Sequence, residues 1–128
     1  MAKRKKLWKS KPAASDFAAA ESYLTLVGTS AQAKAAVQRL RRSRTVQHEA
    51  KDLLRASGLP LLSRDESQVE QDLKHIQKGK PLSPVLLVQG RLTFGQPLVI
   101  ADGYHRVCAA YYHDEDEPIA CRIAPASR

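Results

Sequence analysis

Apolar residues recur at helical spacing through the first part of the chain. Phe17, Ala20, Leu24 and Val27 share one side of a helix that Ser15 can cap and Gly28 can stop. Thr29 or Ser30 starts a second helix to about Arg42, with Ala33, Ala36, Val37 and Leu40 inward. Ala50, Leu53 and Leu54 predict a third helix, from about Val46 to Ala56, ended by Gly58. The texture then changes. Leu59-Pro60-Leu61-Leu62 reads as extended, and Ser63-Arg64-Asp65-Glu66 fits a capping box, with Asp65 as an alternative cap. The helix that follows carries Val69, Leu73 and Ile76 and ends at Gly79. Val85-Leu86-Leu87-Val88 is a continuous apolar run and reads as a buried strand. Gln89 to Gln96, with Gly90 and Gly95, reads as a hairpin or loop, and Pro97 to Ala101 as a second strand. A turn at Asp102-Gly103, a helix from Tyr104 or His105 to about His113 and a closing strand from Pro118 to Ile123 complete the chain. Strands and helices in this mixture predict an α+β fold, a small mixed sheet with packed helices.

Length and charge refine that picture. The 128 residues suit one compact domain, expected over residues 13–128 behind a flexible basic arm at residues 1–12. Trp8 can stack on a base or dock on the domain. Docking is the expectation, because an exposed indole is costly. The net charge of +8 is uneven: Lys3, Arg4, Lys5, Lys6, Lys9 and Lys11 crowd the start, and Lys34, Arg39, Arg41, Arg42 and Arg44 form a second group. Such a field attracts nucleic acid or nucleotides, although arginines in a helix's last turn also suit its dipole. No apolar run approaches a membrane span and no secretory h-region appears, so the expected compartment is the cytoplasm. The two cysteines, Cys108 and Cys121, are expected as buried small hydrophobes.

The informative chemistry is Ala101-Asp102-Gly103-Tyr104-His105-Arg106, a strand end, a glycine turn and a helix start. A helix's first turn offers unpaired N–H groups and positive potential, and glycine lets an anion approach closely. His105 and Arg106 add donors, and arginine's planar fork suits phosphate. Asp102, at the strand's end, can hold magnesium or accept a proton. On spacing alone, Asp102 as a cap and Arg106 as a partner of the acidic run Asp114 to Glu117 are equally open readings.

Residues 53–123 resemble the ParB/sulfiredoxin superfamily in element order and in this turn. Gly103-Tyr104-His105-Arg106 is similar to the Gly-Cys-His-Arg segment of sulfiredoxins, and Asp102 to Arg106 to the Asp-Gly-His-His-Arg turn of kinase-like members. ParB proteins hold a triphosphate with a Gly-Glu-Arg-Arg turn at the same point. The resemblance implies binding of ATP or another nucleotide with magnesium through Gly103, Tyr104, His105 and Arg106, with Arg55 as a second phosphate contact. Asp102 would be the metal ligand or base, and any chemistry would be phosphoryl transfer or nucleotide hydrolysis. Tyr104 stands at the catalytic cysteine position, which excludes sulfiredoxin's thiol chemistry. The alternative is a non-enzymatic DNA- or RNA-binding module of ParB type. It would use Lys3, Arg4, Lys5, Lys6, Arg41, Arg42 and Arg44 on the backbone.

Overall fold

The computed structural model describes residues 6–125. Lys3, Arg4 and Lys5 lie outside the described residues. The chain runs α1 (Ala14–Leu24), α2 (Ser30–Arg42), β1 (Val46–Glu49), α3 (Ala50–Ser57), α4 (Ser67–Gln77), β2 (Val85–Val88), β3 (Val99–Asp102), α5 (Tyr104–His113) and β4 (Pro118–Ala124). The fold is α+β. Its four strands form one mixed sheet in the order β1-β4-β2-β3, with β2 and β4 parallel and the other two pairs antiparallel.

The continuous apolar run of β2 explains the layering. Successive side chains of a strand point to opposite faces. Val85 and Leu87 enter a core shared with Leu53, Val69, Leu73, Val107 and Cys108 of α3, α4 and α5. Leu86 enters another, with Phe17, Ala20, Leu24, Ala36 and Leu40 of α1 and α2. The N-terminal helices are therefore the layer that covers the sheet's second face. No helix among the described residues is long and apolar enough to cross a membrane.

Several boundaries differ from the sequence reading. The third helix starts at Ala50, because Val46–Glu49 pairs with β4 instead, from Val46 opposite Cys121 to Glu49 opposite Pro118. The first helix ends at Leu24, and Gly28 closes the turn beyond it by donating its N–H to the Leu24 carbonyl at 2.9 Å. Ser15 does not cap that helix. Asp16 reaches back to the Ala13 N–H at 2.9 Å. Ser63 is not the cap of α4 either: Glu66 accepts from Gln68 N–H at 2.8 Å, while Ser63 Oγ accepts from Asp65 N–H at 3.2 Å. A reciprocal box that the sequence reading did not assign forms at α2, where Thr29 Oγ1 accepts from Gln32 N–H and Gln32 Oε1 from Thr29 N–H. The strand expected from Pro97 begins at Val99. Proline has no N–H to give a ladder, and Leu98 N–H goes to the Ala56 carbonyl.

Trp8 is docked. It is 7% exposed and joins the core beneath α3 to α5. Its neighbours bracket Leu82, with Leu82 N–H donating to the Leu7 carbonyl and Lys9 N–H to the Leu82 carbonyl. The folded body thus begins at about Leu7, inside the stretch read as an arm. Both cysteines are free and buried, as the sequence suggests. Burial pushes the Cys121 thiol up to about 12 and raises that of Cys108.

Candidate anion site at the start of α5

The turn between β3 and α5 is set by one glycine. Gly103 has φ +108°, in the region that side chains disfavour. A Cβ there would lie 2.9 Å from Val85 Cγ2 and 2.8 Å from Arg106 Nη2. Gly103→Ala should therefore cost about 2 kcal/mol of stability, measured by urea denaturation. Wild-type stability would mean that the turn can relax around a side chain. Among the described residues no side chain caps α5.

The residues around this turn form a cluster of charge. Arg106 Nη2 donates to Asp102 Oδ2 at 3.1 Å and to the Pro84 carbonyl at 3.2 Å. Its other terminal nitrogen lies 3.9 Å from Asp16 Oδ1. The three side chains are only 13–18% exposed. Asp16 comes from α1, so the guanidinium joins the N-terminal helical layer to the turn. Burial pushes the Asp102 carboxyl up, Arg106 opposes that shift, and Asp16 adds to it. Asp72 of α4 is also raised by burial, against the favourable field of Arg106, His75 and His105. His105 Nε2 stands 3.3 Å from Glu66 Oε2 at the start of α4. The Gln68 N–H bond chiefly holds Glu66 below the usual carboxylate range, with His105 contributing.

Of the residues singled out in the sequence, Arg106 pairs with Asp102 across the Gly103 turn, while His105 faces Glu66 of the α4 cap. Tyr104 does something else: its hydroxyl donates to the Pro60 carbonyl, and Tyr112 donates to the Leu62 carbonyl. These two bonds strap the Pro60–Leu62 segment to α5. Arg55 is not joined to the turn by any contact among the described residues. Its side chain is 85% exposed, pairs with Asp52 at 3.4 Å and borders a depression with Lys51, Leu61 and Tyr111. Arg106 meets Asp102 and Asp16, and not the acidic run. The sequence reading missed Asp16 and Asp72. An acid in a helix's first turn is already explained by the dipole, so Asp16 carried no further signal.

Among the described residues no group of three or more His, Cys, Asp or Glu side chains converges as a metal cage. Comparison with protein-family models, curated proteins and solved structures found no match to this chain.

Proposed function

We propose that this chain is a cytoplasmic nucleotide-binding protein of ParB/sulfiredoxin type, whose ligand phosphate sits on the turn Gly103–Arg106. One observation carries the reading: a glycine of positive φ opens a helix with no side-chain cap, and His105 and Arg106 stand in its first turn. Backbone N–H groups and the helix dipole favour an anion there. His105, with its side chain 46% exposed, is the accessible donor. Arg106 lies deeper and is pre-oriented by Asp102 and Pro84. Asp102 would hold magnesium, whose charge would offset that of the phosphates. With its carboxyl raised by burial, Asp102 is also suited to take a proton from an attacking hydroxyl or water. Phosphoryl transfer or nucleotide hydrolysis is the chemistry that such a set supports, because it needs mainly positioning and charge stabilisation.

Asp16 competes with any anion for Arg106. Asp16→Asn should therefore tighten nucleotide binding about fivefold, a free-energy gain of about 1 kcal/mol. The test is calorimetric titration of ATP, ADP, CTP and GTP, each with and without magnesium, into wild type, Asp16→Asn and His105→Ala. Magnesium-dependent binding that strengthens in the first variant and weakens in the second is the expected result. Absence of binding by all four nucleotides would overturn the proposal.

A further inference from the structure

The fold brings together two basic segments that are far apart in sequence. Thr45 Oγ1 donates to the Ser10 carbonyl at 2.9 Å, joining the Lys6–Lys11 segment to the connection between α2 and β1. The first segment is held in place by buried Trp8 and by the two backbone bonds to Leu82. Its lysines are therefore presented from a fixed strand of chain.

The arginines at the end of α2 have divided roles. Arg122 of β4 donates to the Leu40 and Arg41 carbonyls at 3.3 and 3.1 Å, satisfying the helix end. Arg41 lies 4.5 Å over the Phe17 ring. Neither task uses Arg42 or Arg44. Both are exposed, as are Lys6, Lys9 and Lys11, and none of the five is ion-paired among the described residues. Unpaired like charges held close together repel one another, an arrangement relieved by a polyanion.

A hollow of about 410 Å³ lies between the docked segment and the sheet edge, with Lys6, Lys9, Ser10, Thr45 and Gln47 on its polar side and Leu7, Trp8, Pro118, Ala120 and the mostly buried Glu117 completing its wall. The buried Trp8 indole N–H has no acceptor in the described structure. The exposed lysines together with the Ser10, Thr45 and Gln47 side chains suit individual phosphodiesters better than a lipid surface, which would call for exposed apolar wedges.

We propose that Lys6–Lys11 and the α2–β1 connection, centred on Arg42 and Arg44, form a surface for the sugar–phosphate backbone of a nucleic acid. The surface is separate from the turn at Gly103 and reads backbone, not sequence. The test is fluorescence anisotropy of the full chain with labelled duplex DNA, single-stranded DNA and an RNA hairpin, at about 50 and about 200 mM salt. Affinity should fall about 100-fold or more between the two salts. Arg42→Glu with Arg44→Glu should weaken binding at least about tenfold at low salt, with an unchanged circular dichroism spectrum, because both side chains are exposed. Lys3→Gln, Arg4→Gln and Lys5→Gln together should reduce the salt slope yet leave measurable binding. Three results would overturn the proposal: no binding at low salt, affinity indifferent to the Arg42/Arg44 reversal, or capture by phosphatidylserine vesicles without capture of any nucleic acid.

Discussion

Arg106→Ala is expected to lose about 3 kcal/mol of stability near neutral pH, and with it the nucleotide affinity proposed above. The guanidinium is the cation that Asp102 and Asp16 share, and all three side chains are mostly buried. Its removal leaves two carboxylates facing each other in a poorly solvated space. The pH dependence carries the diagnosis. The Asp102 carboxyl is already raised by burial, against the opposing effect of Arg106. Without Arg106 it rises further. A carboxyl raised in the folded state contributes stability at low pH and loses it as pH climbs through the folded value. Asp72, also raised by burial and also favoured by Arg106, shifts the same way. The deficit of the variant should therefore be largest near neutrality and shrink at about pH 4.5, read from urea denaturation at both values. Asp102→Asn in the Arg106→Ala background should recover about 1 kcal/mol or more. A deficit that stays constant with pH and is not relieved by Asp102→Asn would mean that Arg106 acts through packing alone.

The double role of Arg106 bears on how evolution can use such a turn. A free arginine at a helix start is a better anion receptor than one already shared with two acids. Here Asp16 arrives from a helical layer outside the stretch that resembles ParB and sulfiredoxin. The layer that covers the second face of the sheet would thus also set the electrostatic threshold for the ligand proposed at Gly103.

Much of the fold was legible because the relevant forces are local. The start of α2 at Thr29 or Ser30 is set by a cap within four residues, and the apolar Val85–Val88 run declares a buried strand. The turn was legible for the same reason, since Asp102, Gly103, His105 and Arg106 are consecutive or nearly so. What escaped is what long-range pairing decides. Val46–Glu49 becomes a strand only because β4, about 70 residues later, offers an antiparallel edge. Its mostly exposed side chains carry no apolar alternation to announce it. Asp16 and Arg106 meet only after α1 packs on β3. Arg55 was placed near phosphate by resemblance, and the described structure gives it Asp52 as its partner.

Trp8→Ala is expected to destabilise the protein by about 3 kcal/mol, lowering its melting temperature by about 10 °C, although the residue lies in the most basic stretch of the chain. The indole is 7% exposed and packs in the same core as Leu73, Leu82 and Ile119. It is also the only tryptophan, so its own emission reports the docking: blue-shifted in the native protein and shifting red as the segment leaves. Trp8→Phe separates the ring from its polar atom. The buried Trp8 N–H has no acceptor among the described residues, a state that costs about 1–3 kcal/mol. Phenylalanine removes that cost while giving up part of the ring's volume, so the two changes oppose each other. The phenylalanine protein should melt within a few degrees of wild type, and the alanine protein far below it. Equal losses in the two variants would show that the indole N–H finds an acceptor in solution. In that case the anchor of the basic segment would be a hydrogen bond, and not the fit of a ring.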